Sequence, residues 1–181
     1  MRDRLVELSK TVSHALRHQP WLYELELDAE GWTPVEAVLD ALNAKPRWRD
    51  VGRDDLVAMM AAADKERFEL DGERIRALYG HSVPGRIIKE RAAPPAVLLH
   101  GTAPASVPAI LRQGLSPMRR QYVHLSVDRE TAEQVGARRA PKPVVISVRA
   151  AEAHAAGVTF WRGNDKVWLA EVVPPEFIDA R

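Results

Sequence analysis

Arg67-Phe68-Glu69-Leu70-Asp71-Gly72-Glu73-Arg74-Ile75-Arg76-Ala77 reads as a β-hairpin, and its position decides how the chain before it folds. Apolar and polar residues alternate on both sides of Asp71-Gly72, the pattern of two half-buried strands joined by a tight turn. Upstream the period changes from strand-like to helical. Leu5, Leu8, Val12 and Leu16 recur at helical spacing and predict a first helix over residues 4–18. Thr33-Pro34-Val35-Glu36 has the form of a capping box with proline at the first helical position; Val35, Val38, Leu39 and Leu42 then supply an apolar stripe. A third helix carries Leu56, Met59, Met60 and Ala63. Three helices followed by a hairpin are the pattern of a winged helix.

Downstream of the hairpin, Pro84, Gly85, Pro94 and Pro95 fall in a stretch without apolar periodicity. Residues 83–96 therefore read as a linker between a first domain, 1–82, and a second, 97–181. The second domain opens with an expected buried strand, Ala96-Val97-Leu98-Leu99. Short helices are expected near 105–113, closed by Gly114, and 128–135, closed by Gly136, with Ser126 a possible cap for the latter. Further strands are expected at Val123–Ser126, Val144–Val148, Thr159–Trp161, Val167–Leu169 and Glu171–Val173. Many short strands with few helices indicate an α+β fold rather than a doubly wound parallel sheet.

Composition excludes several classes. The 181 residues are 46% hydrophobic and 28% charged, with no apolar run long enough to span a membrane and no signal-peptide pattern. Cysteine is absent, which removes disulfides, thiolate metal sites and a cysteine nucleophile and fits the cytoplasm. The net charge of +1 hides a segregation. Between Arg74 and Arg149 stand 13 Lys/Arg against 4 Asp/Glu, an excess of +9, while the rest holds 13 against 21, or −8. Localised basic density suits an anionic ligand or a nucleic acid, though a solvated basic face would look the same.

Leu16-Arg17-His18-Gln19-Pro20 ends the first helix with a permanent cation beside a titratable donor, a pairing suited to a phosphate. Cations offsetting the helix dipole are the plainer explanation of that run. No Gly-x-Gly-x-x-Gly, P-loop or Gly-x-Ser-x-Gly motif occurs. His14 and His18 lie four apart without a third ligand, so no metal site is expected. Polar clusters recur at element ends: Gly80-His81-Ser82, His100-Gly101-Thr102, Val123-His124-Leu125-Ser126 and Arg138-Arg139. Each alone is explained by turns, helix caps or a satisfied core histidine.

In combination these stretches carry a resemblance. Ser9-Lys10, Leu16 to Pro20, Asp28-Ala29-Glu30-Gly31-Trp32, Arg67-Phe68, Ile75-Arg76-Ala77 and Gly80-His81-Ser82 match in the first part. Leu99-His100-Gly101-Thr102, Gly114-Leu115, Met118-Arg119, Val123 to Ser126, Val135-Gly136 with Arg138, Val167-Trp168-Leu169 and Val173-Pro174-Pro175 match in the second. In that order they resemble the RNA 2′-phosphotransferases, which remove the splice-junction 2′-phosphate of tRNA using NAD. The resemblance implies a winged-helix lobe, an ADP-ribosyltransferase-like lobe of short antiparallel strands and helices, and an active site in the cleft between them. It puts His100, Gly101, Thr102, Gly114, Leu115, His124 and Ser126 on the NAD-binding side, with Arg17, His18, Arg76 and Arg138 as the catalytic quartet.

The implied chemistry has two steps. The RNA 2′-phosphate displaces nicotinamide from NAD to give an ADP-ribosylated RNA. The ribose 2″-hydroxyl then attacks phosphorus, releasing RNA with a 2′-OH and ADP-ribose 1″,2″-cyclic phosphate. The first nucleophile is already an anion, so positioning and charge neutralisation suffice there, whereas His18 and Arg76 are expected to serve mainly the second step. NAD is thus a co-substrate; the partner is RNA bearing a 2′-phosphate, tRNA-like or a short oligonucleotide. A cytoplasmic monomer is expected. The chain departs from the family pattern at Leu78-Tyr79, at Tyr122 and at Arg138-Arg139-Ala140-Pro141, where Arg138 keeps the spacing from Gly136. An alternative is an ADP-ribosyltransferase acting on terminal phosphates of nucleic acid or on another acceptor. A non-enzymatic winged-helix binder fits less well, because residues 1–73 are not basic.

Overall fold

A computed structural model describes residues 1–78, 90–118, 121–163 and 165–180. The chain forms two compact units, Met1–Arg86 and Ile87–Arg181, and mixes helix with sheet in an α+β fold. The Gly80-His81-Ser82 cluster, Tyr79, Arg119 and the linker residues 83–89 lie outside the described residues.

In the first unit, helices α1 (Arg2–Ser13), α2 (Val35–Asn43) and α3 (Arg53–Ala61) pack around Leu8, Val12, Leu16, Val38, Leu42, Leu56 and Met59. Strand β1 (Thr33–Pro34) joins the hairpin strands β2 (Phe68–Asp71) and β3 (Arg74–Ala77) in a sheet of order β1-β3-β2. Asp71 pairs with Arg74 across the turn, and Gly72 takes φ +58°, the left-handed region a tight hairpin needs. Ile75 and Phe68 deliver the hairpin's apolar face to the helical core.

Two sequence expectations change here. The first helix is α-helical only to Ser13; residues His14–His18 form a π-helical turn, closed by the Gln19 amide donating to the His14 carbonyl at 3.0 Å. The wider turn lets consecutive residues Ala15 and Leu16 both bury, and Pro20 starts a separate 3₁₀ turn. The capping box does not form either. Pro34 stands at the cap position of α2 with no side-chain cap bond, because Thr33 and Pro34 are drawn into the sheet opposite Ile75 and Arg74. The Val35 amide then donates to the Glu73 carbonyl at 2.9 Å, so a strand rather than a hydroxyl satisfies the helix start.

The second unit is built on strands β4 (Glu90–Arg91), β5 (Leu98–Thr102), β6 (Val123–Ser126), β7 (Val144–Val148), β8 (Phe160–Arg162), β9 (Val167–Ala170) and β10 (Ile178–Asp179). They form a sheet of order β10-β7-β5-β6-β9-β8-β4 in which every pairing is antiparallel. Helices α4 (Val107–Gln113), α5 (Arg129–Ala137) and α6 (Ala150–Ala155) complete the unit. Leu98, Leu125, Ile146, Val148 and Phe160 are the centre of its core.

Several boundaries move. Glu90 and Arg91, read from sequence as linker, form the exposed edge strand β4 against Arg162 and Trp161. The strand expected at Ala96–Leu99 begins at Leu98 and runs on through His100-Gly101-Thr102. Glu171–Val173 makes only an isolated bridge, Val173 with Leu115. Asp128, not Ser126, caps α5, accepting from the Thr131 amide at 2.7 Å. Gly136 lies inside α5 instead of ending it; a Cβ there would come 3.0 Å from the Gly101 carbonyl carbon.

Candidate active site

The candidate residues of the first unit sit on two supports. Arg17 and His18 ride on the π-helical turn, with Arg17 half-buried and His18 exposed. The Arg17 Nη2 donates to the Arg67 carbonyl at 3.3 Å, and its guanidinium lies 5.5 Å from the Phe68 ring centre. That ties the helix end to the first strand of the hairpin. Arg76 stands on β3, where its Nε donates to Glu69 Oε2 at 2.8 Å and its Nη2 is ion-paired with the same oxygen at 2.7 Å. Its guanidinium also lies 4.5 Å from the Trp32 ring centre. Trp32 is itself fixed by the turn Asp28–Gly31: its amide donates to Asp28 Oδ1 at 3.0 Å, and Gly31 takes φ +87°.

His14 opens the π turn and is pinned to it. Its Nδ1 shares a 3.0 Å hydrogen bond with the Tyr23 hydroxyl, and the two rings meet edge to face at 5.7 Å. Burial lowers its pKa from the ordinary 6.5, helped by the charges of His18 and Lys45 and opposed by a bond to Gln19. The folded chain therefore favours neutral His14, and the unfolded chain takes up the proton first as pH falls. The stability this group contributes is fully present above 6.5 and is lost as pH drops through the folded value. Urea midpoints taken from about pH 7.5 down to about pH 5 should fall more for the native chain than for a His14→Gln variant, and a pH-independent difference would contradict this.

In the second unit the candidates line the central strands. By strand alternation Leu98, His100 and Thr102 share one face of β5, and Gly101 faces α5. A Cβ on Gly101 would stand 1.8 Å from the Ala132 carbonyl oxygen, so the helix occupies the space a side chain would need. Gly101 is therefore a packing glycine within a strand and relieves no turn. β5 and β6 share one ladder pair, Leu99 opposite Ser126. Beyond it His100 Nδ1 bonds the His124 carbonyl at 3.0 Å. A carbonyl only accepts, which fixes the His100 tautomer as protonated at Nδ1. Thr102, His124 and Ser126 are buried, and His100 is half-buried.

Gly114 closes α4 at φ +83°, and a Cβ there would approach the Val173 carbonyl to 2.2 Å. Leu115 and Val173 exchange two backbone bonds of 2.9 Å beside it. Arg138 follows the last residue of α5, where a cation complements the helix dipole. It is buried, at 8% exposure, while its neighbour Arg139 is exposed.

A family model described as "RNA 2'-phosphotransferase, Tpt1 / KptA family" matches residues 3–172. A "Probable RNA 2'-phosphotransferase" of Acetivibrio thermocellus is 54% identical over 172 residues, covering 95% of this chain and 94% of the relative. One of the same description from Bacillus thuringiensis is 53% identical over 171 residues, 94% of this chain and 92% of its own. The chain belongs to the RNA 2′-phosphotransferase family. A more distant relative from Streptomyces griseus, 44% identical over 184 residues, spans 97% of this chain and 96% of its own, so similarity to the family runs through both units.

Two supporting residues are not evident as such from the sequence, one beside the candidate Arg76 and one beside His14, which is not itself a candidate. Glu69 holds Arg76, and Tyr23 holds His14. The first pairing is implicit in the hairpin register, since a turn that pairs Asp71 with Arg74 also pairs Glu69 with Arg76. The second crosses a π turn and a 3₁₀ turn, and no sequence period indicates it.

Proposed function

We propose that this protein removes an internal 2′-phosphate from RNA by transferring it to NAD, yielding RNA with a 2′-OH, ADP-ribose 1″,2″-cyclic phosphate and nicotinamide. The observation that carries the reading is the family match over residues 3–172. We read the first unit as a winged-helix lobe that receives RNA and the second as an ADP-ribosyltransferase-like lobe that receives NAD. The all-antiparallel second sheet and the helices-then-hairpin order of the first unit support that assignment. The protein is proposed to act in the cytoplasm as a monomer; among the described residues no helix is long and apolar enough to cross a membrane.

NAD, a consumed co-substrate, supplies the ribose carbon bearing nicotinamide as acceptor and the neighbouring 2″-hydroxyl as second nucleophile. The donor set of the second unit fits such a ligand in kind. His100 presents a fixed tautomer beside the point where β5–β6 pairing stops, and a ligand there can meet backbone groups as well as the imidazole. Gly101, Thr102, Gly114, Leu115, His124 and Ser126 are proposed to shape that site, mostly from buried positions.

Arg17, Arg76 and Arg138 are proposed to neutralise and orient the phosphate, a role for which fixed guanidinium forks suit better than mobile ammonium groups. In the first step a phosphate oxygen bonds the ribose carbon as the bond to nicotinamide breaks, so no proton need be removed. In the second the 2″-hydroxyl oxygen bonds phosphorus and gives up its proton, the bond to the RNA O2′ breaks, and O2′ takes up a proton. His18, exposed at the helix end, is proposed to manage that proton while Arg76 stabilises charge on the phosphorane-like species. His18→Ala and Arg76→Ala variants should accumulate ADP-ribosylated RNA when given NAD and a 2′-phosphorylated oligonucleotide. Equal loss of both steps with no intermediate would count against this division of roles.

A further inference from the structure

We infer that Glu69 is a positioning residue for the transfer reaction, orienting the Arg76 guanidinium together with Trp32; the inference rests on the catalytic role proposed for Arg76. Two side chains meet Arg76 from either side of its strand. Glu69 on β2 stands directly opposite Arg76 on β3. On the other side of β3, where Thr33 stands opposite Ile75 and Pro34 opposite Arg74, the indole of Trp32, one residue before the strand, lies against the Arg76 guanidinium. Side chains directly opposed, as those of Glu69 and Arg76 are, share a face and touch.

The contacts leave Arg76 little freedom. Its Nε donates to Glu69 Oε2 at 2.8 Å and its Nη2 is ion-paired with that oxygen at 2.7 Å, while the indole ring centre lies 4.5 Å from the guanidinium carbon. One edge and one face of the guanidinium are thereby held, and its Nη1 end is the part left to meet an anion. Arg74, two residues earlier on the same face, lies on the same indole but is engaged by Asp71 at 2.9 Å and so does not compete for Glu69.

The arrangement has an electrostatic drawback that argues against simple anion binding. A carboxylate beside a phosphate-binding arginine weakens attraction for a bound dianion. What it supplies is orientation, and orientation is what a step governed by geometry rewards. Glu69 should therefore act on the chemical steps more than on RNA affinity.

The test uses the full chain with NAD and a 2′-phosphorylated oligonucleotide, because the Glu69 side chain is 41% exposed and its replacement leaves the core intact. Glu69→Ala should lower kcat by about tenfold or more with KM for RNA changed by less than about threefold, and Glu69→Gln should recover most of the loss. The Glu69→Ala/Arg76→Ala double variant should be no worse than Arg76→Ala alone. Unchanged kcat in Glu69→Ala, or tighter RNA binding with no loss of kcat, would overturn the inference. If Arg76→Ala itself turned over normally, the catalytic role of Arg76 would fail, an outcome separate from failure of Glu69 alone.

Discussion

Alanine at His18 is expected to cut turnover by about 10²–10⁴-fold, the range over which a positioned proton donor or acceptor contributes. It should leave stability within about 0.5 kcal/mol, as exposed positions away from the core generally do. His18 is exposed, so its loss opens no cavity. Arg17 is a different case, half-buried against Phe68 and bonded to the Arg67 carbonyl. Arg17→Ala should cost about 1 kcal/mol through that lost packing and hydrogen bond, with a loss of turnover far beyond what such destabilisation explains. Arg17→Lys keeps the charge and loses the planar fork, and should recover little. Activity retained in His18→Ala, or a fall in activity that follows the melting temperature, would make the helix end structural.

The second large effect lies in the fold that carries the residues proposed to face NAD. Gly101→Ala should destabilise the protein by about 3 kcal/mol or more. The added carbon would sit 1.8 Å from the Ala132 carbonyl oxygen and 2.7 Å from its carbon, both backbone atoms of α5. Neither can rotate away, so α5 must lift off β5 or the strand must buckle. Gly136 faces Gly101 across the same contact, and Gly114→Ala meets a comparable obstacle at the Val173 carbonyl. Gly52 is the control: nothing lies within 4 Å of its added carbon, and Gly52→Ala should change stability by less than about 1 kcal/mol. Urea denaturation followed by tryptophan fluorescence measures all of these, and equal midpoints for Gly101→Ala and Gly52→Ala would refute the packing argument.

Where the sequence was legible, one local signal sufficed. The Asp71-Gly72 hairpin, strands β6 and β7, and the helix closed by Gly114 follow from alternation, periodicity and turn chemistry within a few residues. Where it was not, a distant partner decided. Thr33-Pro34 reads as a helix cap, yet β3 claims its backbone. Glu90-Arg91 reads as linker until Arg162 and Trp161 offer a strand edge. The π turn is hidden because Leu5, Leu8, Val12 and Leu16 keep an α-helical spacing through it. Arg17 and His18 have the chemistry of a phosphate site, yet cations offsetting the helix dipole are the plainer explanation of that run, and only the resemblance orders them with Arg76 and Arg138. Gly101 shows the same limit: its role is set by Ala132, thirty-one positions away.

The most direct test of the account is product identity. The intact chain, given NAD and an oligonucleotide with one internal 2′-phosphate, should yield by mass spectrometry an oligonucleotide lighter by that phosphate, together with ADP-ribose 1″,2″-cyclic phosphate and nicotinamide in equal amounts. Stable ADP-ribosylated oligonucleotide without cyclic phosphate would instead mark an ADP-ribosyltransferase, and phosphate release without NAD would contradict the account outright.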